Sequence, residues 1–209
     1  LMPHTRAGGL LPVADVLRIG EQVALALDHA HRQNVVHRDI KPANVMLDPA
    51  TGIVKVTDFG IARITDSSRT KTGMVLGTPS FMSPEQLAGQ HVDGRSDLYS
   101  LGAMLFQLLT GELPLKADSL SALMYQIAHT VPPDVRSLRP ELPPALGVLI
   151  ARAMSKMPEQ RHQSGAELAA DLRRIAGLPD GPAAQESPYE ATQPLRRDRS
   201  TPAAPDLQV

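Results

Sequence analysis

Residues 97 to 110 read Asp-Leu-Tyr-Ser-Leu-Gly-Ala-Met-Leu-Phe-Gln-Leu-Leu-Thr. Leu98, Leu101, Ala103, Met104, Leu105, Phe106, Leu108 and Leu109 cover nearly the whole circumference of a 3.6-residue turn. A helix that is apolar on all sides has no face for water, so it must run through the middle of a domain. Gly111 stands where such a helix stops. The other elements must therefore pack around this segment. The chain has 209 residues, enough for one domain with a real core. Aromatic residues make up 3%, so that core is built from Leu, Val, Ala, Ile and Met.

The elements that can surround it follow from periodicity. From Val13 to about Gln33, apolar side chains recur at Val16, Ile19, Val23, Leu27 and Ala30, which predicts one amphipathic helix. Val45-Met46-Leu47 and Ile53-Val54-Lys55-Val56 read as short strands joined by Asp48-Pro49-Ala50-Thr51-Gly52, a hairpin. Ser119 to His129, Pro144 to Met154 and Gly165 to Ile175 predict three more helices, punctuated by prolines 132, 133, 140, 143 and 158. Residues 61–82 are polar with no period, a long loop of the kind that tends to carry function. Residues 1–12 read as an irregular lead-in. Beyond Gly177, prolines at 179, 182, 188, 194, 202 and 205 sit among Ala, Gln, Ser and Arg, which predicts a disordered tail over 177–209. The layout is mainly α, with one small hairpin.

Bulk chemistry excludes several classes. The net charge of −1 gives no electrostatic case for nucleic acid or for an anionic membrane. With no Cys, disulfides and thiolate metal sites are excluded, which fits a reducing cytoplasm. No apolar run approaches bilayer length.

The residues that carry chemistry fall together. His37-Arg38-Asp39-Ile40-Lys41-Pro42-Ala43-Asn44 is followed fourteen residues later by Asp58-Phe59-Gly60. A second block reads Gly77-Thr78-Pro79-Ser80-Phe81-Met82-Ser83-Pro84-Glu85, and Arg161 closes Lys156-Met157-Pro158-Glu159-Gln160-Arg161. Taken singly these residues are ordinary: a solvated loop aspartate, a surface lysine, a turn-forming Asn, a core histidine, a helix cap. Taken together they resemble the serine/threonine protein kinases, most closely the bacterial Hanks type in the run Met82-Ser83-Pro84-Glu85-Gln86.

The resemblance covers roughly residues 10–176 and implies a helical C-terminal lobe over 13–176, with 1–12 near the hinge between lobes. It implies that Asp39 orients the acceptor hydroxyl, that Lys41 contacts the transferred phosphate, and that Thr78 shapes the site beside them. Asn44 and Asp58 are the implied Mg²⁺ ligands, and Met46 lies on the floor of the ATP adenine site. His37 and Phe59 stack, Glu85 pairs with Arg161, and Asp97 fixes the His37-Arg38 backbone or caps its own helix. Ser83 replaces a usual Ala, expected to be a harmless small-for-small change. Met157 replaces a usual Asp, which puts a local turn contact in doubt. Arg38 implies control by phosphate on the segment 61–82, with Thr70 and Thr72 as candidates and Ser67 and Ser68 behind them.

Implied partners are ATP, Mg²⁺ and proteins bearing Ser or Thr acceptors, with a homodimer for autophosphorylation. The parent is expected in the cytoplasm or anchored at a membrane. No Gly-rich strand pair and no Val-Ala-x-Lys precede His37. The expectation is therefore a lobe without its N-terminal partner, weak or inactive alone, with Met46 and Phe59 facing water. A non-catalytic scaffold is the alternative. Small-molecule phosphotransferases share the His-x-Asp…Asn loop but generally lack Lys41 and the Gly77–Glu85 block.

Overall fold

The computed structural model describes residues 1–59 and 79–178. Helix α1 spans Val13–Arg32, and strands β1 (Val45–Leu47) and β2 (Val54–Val56) form an antiparallel hairpin. Helices α2 (Pro84–Leu87), α3 (Gly94–Thr110), α4 (Leu120–His129), α5 (Val135–Leu138), α6 (Pro144–Ala153) and α7 (Gly165–Ile175) follow. Single turns of 3-10 helix occur at Met2–His4, Pro42–Asn44, Pro79–Phe81 and Pro158–Gln160. The lead-in is thus less irregular than its composition suggests, and Pro79–Phe81 gives the end of the expected loop local structure.

The all-apolar helix is the axis of the domain. From Leu98 to Leu109 every position of α3 except Gln107 is buried. Helix α1 lies against both α3 and α7, and α6 against both α3 and α7, so four helices share one core. All five apolar positions predicted for α1 are buried, and Val16, Ile19, Val23 and Leu27 belong to that core. Helix α3 ends at Gly111, whose φ of 77° puts it in the left-handed region that other residues enter at a steric cost.

One boundary differs in a way that changes a residue's role. Helix α3 begins at Gly94, not Asp97, and Asp93 is its cap, accepting from the Arg95 amide at 2.9 Å. Asp97 lies one turn inside, which frees its carboxylate for a longer-range contact.

Helix α7 approaches α1 closely because its first residue is Gly165. A Cβ there would stand 2.2 Å from the Ala24 carbonyl oxygen and 2.8 Å from Asp28 Cβ. Asp28 Oδ1 accepts from the Ala166 amide at 3.1 Å, so α1 also supplies a cap for α7. The obstacle is backbone, which cannot turn aside as a side chain can. Gly165→Ala is expected to lower unfolding stability by about 1–3 kcal/mol, read from the urea midpoint; an unchanged midpoint would contradict this packing.

Candidate active site

Asp97 organises the loop from its buried position. Its side chain is 0% exposed, and its two oxygens accept from the His37 amide at 2.8 Å and the Arg38 amide at 2.7 Å. His31 Nε2 lies 2.8 Å from the same carboxylate. Arg38 has φ 67°, a left-handed conformation that a residue with a Cβ holds when its surroundings fix it there. Its amide is held by Asp97, and its carbonyl accepts from Gln86 Nε2 at 2.9 Å.

His37 is fully buried and its tautomer is set by two backbone groups. Nε2 lies 2.8 Å from the Thr57 carbonyl, which can only accept, and the Asp39 amide donates to Nδ1 at 3.2 Å. The imidazole therefore links the loop to the end of the hairpin. Phe59 stacks on it at 4.7 Å between ring centroids. Phe59 is half-buried, so the expectation that it faces water gives way to this contact; Met46, at 61% exposed, does face water.

The chemistry-bearing groups meet just beyond. Lys41 Nζ donates to both Asp39 oxygens, at 3.0 and 2.7 Å. Asn44 Nδ2 donates to the Asp39 carbonyl at 2.7 Å and to Asp39 Oδ2 at 2.9 Å. Asp39 is thus the hub of a three-residue set, drawn in by the single turn at Pro42–Asn44. Among the described residues no donor reaches Asn44 Oδ1, which leaves one hard oxygen at this position.

Asp58 follows the end of the hairpin, where its one hydrogen bond among the described residues comes from the Thr57 hydroxyl at 3.3 Å. The hairpin pairs Val45 with Val56, so Asn44 and Thr57 stand opposite, and the Thr57 amide donates to the Asn44 carbonyl at 2.9 Å. Asp58 is the next residue, exposed and left-handed at φ 60°. Thr78, Thr70, Thr72, Ser67 and Ser68 lie outside the described residues.

The second block closes on a buried ion pair. Arg161, 0% exposed, donates from Nη1 to Glu85 Oε1 at 2.7 Å and from Nη2 to Oε2 at 2.8 Å, a parallel two-pronged contact. Its remaining donors meet carbonyls of Ser155, Lys156 and Arg95. Ser96 also donates to Glu85. Burial works against ionising Glu85, yet hydrogen bonds from Arg161 and Ser96 outweigh it and hold the carboxyl at about 2. Met157 precedes Pro158–Gln160 without any side-chain cap, consistent with the loss of the usual Asp.

Some contributors were not singled out from sequence. Ser83 is more than a small filler: its hydroxyl caps α2. Gln22 of α1 donates to the Gly52 carbonyl at 3.1 Å and accepts from the Val54 amide at 3.1 Å, tying the hairpin to the helix. His31 carried a weak signal, a histidine at the end of an amphipathic helix six residues before His37. Thr57 carried none, because its role is played by its backbone.

Comparison with known proteins identifies the family. The protein kinase domain model matches residues 1–172. The chain belongs to the protein kinase family. Within it, the relatives are bacterial serine/threonine kinases of the Hanks type. The chain is 47% identical to PksC of Streptomyces coelicolor over 174 residues, 82% of this chain and 31% of that protein. It is 48% identical to PknJ of Mycobacterium tuberculosis over 184 residues, 84% of this chain and 31% of that protein. A crystal structure of a double mutant of the M. tuberculosis PknI kinase domain superposes with a TM-score of 0.65 at 33% identity. That match covers 82% of this chain and 59% of the solved one. The chain thus spans less than a third of the length of these two curated relatives.

The ion pair makes two predictions. Arg161→Met strands a buried carboxylate and is expected to cost about 3–5 kcal/mol, most of it recovered when Glu85→Leu is added, both read by urea unfolding. Because the folded Glu85 carboxyl titrates at about 2 against an ordinary 4.5, its contribution is complete above pH 4.5 and is lost as pH falls toward 2. The loss is on the order of 3 kcal/mol, and Glu85→Gln should remove that part of the acid dependence of the urea midpoint.

Proposed function

We propose that this lobe carries the catalytic loop of a serine/threonine protein kinase that transfers the γ-phosphate of Mg-ATP to Ser and Thr hydroxyls of proteins. The observation that carries the proposal is the contact set Asp39–Lys41–Asn44, held on a backbone clamped by Asp97, with Asp58 two residues past the end of β2, whose partner strand begins directly after Asn44. Phosphoryl transfer asks little covalent chemistry of a protein and much positioning. Asp39 orients the acceptor hydroxyl and takes its proton. Lys41, now on the Asp39 carboxylate, supplies positive charge to the phosphate in flight. Its contact to both Asp39 oxygens keeps it within reach of the same hydroxyl.

The donor set fits a small hard cation. Asn44 offers an amide oxygen and Asp58 a carboxylate, both of the oxygen type that Mg²⁺ prefers, and two protein ligands suit an ion that keeps water and phosphate in its shell. When bound, Mg²⁺ neutralises the phosphates and holds them in line. Met46 offers an apolar surface to the adenine ring beside that site.

Residues 13–176 form the lobe and 1–12 lie at its hinge side. Thr78 shapes the acceptor side of the site. Arg38, exposed beside Asp39, is read as the receiver of a phosphate on Thr70 or Thr72, placed there by a second copy of the chain. The setting is the cytoplasm, where ATP and Mg²⁺ are supplied.

The test is phosphate incorporation by the full-length protein from Mg-ATP into a basic protein substrate. Asp39→Asn is expected to lower kcat by about 10²–10⁴-fold with little effect on nucleotide affinity. Transfer at the original rate by Asp39→Asn would overturn the assignment. Tight Mg-ATP binding without any transfer would favour the scaffold. Mass spectrometry after incubation with ATP is expected to find phosphate on Thr70 or Thr72; full activity with neither modified removes the regulatory role of Arg38.

A further inference from the structure

Gln86 follows directly after Glu85, and its side chain spans two elements. Its Oε1 accepts from the Ser83 amide at 3.1 Å and from the Ser83 hydroxyl at 3.1 Å. Its Nε2 donates to the Arg38 carbonyl at 2.9 Å. The orientation of the amide is forced. A backbone N–H can only donate and a carbonyl can only accept, so Oε1 must face Ser83 and Nε2 must face Arg38. Reversing the amide would break both contacts.

The far end of this strap is the residue that most needs holding. Arg38 immediately precedes Asp39 and sits at φ 67°. The Asp97 carboxylate grips its amide at 2.7 Å, and Gln86 grips its carbonyl at 2.9 Å. Both polar groups of this strained residue are therefore fixed, one from α3 and one from α2. The near end is fixed as well. Ser83 is 0% exposed and closes a reciprocal cap with Gln86, and the adjacent Glu85 is locked on Arg161. Strain at an active-site backbone persists only where its surroundings over-determine it.

We propose that Gln86 is a positioning residue for Asp39: it couples the folded state of the Pro79–Leu87 block to the geometry of the catalytic loop. This rests on the kinase reading above. The Ser83 hydroxyl belongs to the same device, since it orients the amide that reaches the loop. Disorder at the start of α2 would release the Arg38 carbonyl and let Asp39 drift without touching the metal ligands or the nucleotide floor.

Two variants separate the strap from the cap. Gln86→Met keeps the length and removes every polar contact. Gln86→Glu keeps an acceptor for Ser83 but has no donor for Arg38. On the full-length protein, both are expected to lower kcat about fivefold with KM for Mg-ATP unchanged, since one partly exposed neutral hydrogen bond contributes modestly. On the 209-residue chain, both should speed hydrogen exchange at the amides of residues 38–40, with the thermal midpoint of Gln86→Glu close to that of the parent. Wild-type kcat and wild-type exchange in Gln86→Glu would overturn the proposal and leave Gln86 a helix cap alone. If the parent shows no phosphotransfer at all, the kinase reading falls. The exchange measurement then still decides whether the strap holds the loop.

Discussion

One buried carboxylate sets the site. Asp97 has no exposure to solvent, and a charge in that position is tolerated only where hydrogen-bond donors replace water. Here the donors are two consecutive backbone amides of a loop that is otherwise without regular structure. The dependence is mutual: the loop needs the acceptor to keep Arg38 in a left-handed turn, and the acceptor needs the loop to remain buried. Because Asp97 rides on the central helix, the most deeply buried helix of the domain is wired directly to the residue before Asp39.

The second buried charge works differently. Glu85 and Arg161 come from segments 76 residues apart and meet inside the core, where each satisfies the other and neither faces substrate. Replacing such a pair by apolar groups is often neutral for stability, so its value lies in specifying where α2 sits. That placement matters because α2 carries Gln86. Burial, the ion pair and the amide contact thus form one chain of dependence from the core to the loop carbonyl.

Much of this was legible in the letters. An all-apolar stretch can be read as a central helix because solvent leaves it no alternative, and five apolar positions from Val16 to Ala30 lie on the face they predict. The observed ends of β1 at Val45 and Leu47 follow from a short apolar run stopped by the turn chemistry of residues 48–52. What escaped was long-range pairing by polar atoms. Asp97 reads as a helix start because Asp is a good cap, but Asp93 four residues earlier takes that position and leaves Asp97 for His37 and Arg38. Ser83 looks like a space-filler until Gln86 is seen to complete its cap. Gln22 and Thr57 act on or through backbone groups, which no side-chain pattern reports.

The hairpin is too small to stand by itself. Two strands of three residues each bury little, and an isolated ribbon of that size is not stable in water. Gln22 clasps it at Gly52 and Val54, from the middle of α1. Asn44 lies at the open end of that ribbon opposite Thr57, and Asp58 is the residue after Thr57. A flexing of α1 therefore tilts the ribbon as a unit. The span between the two oxygen-bearing residues travels with it, so their separation is set by the ribbon and not by the floor beneath it.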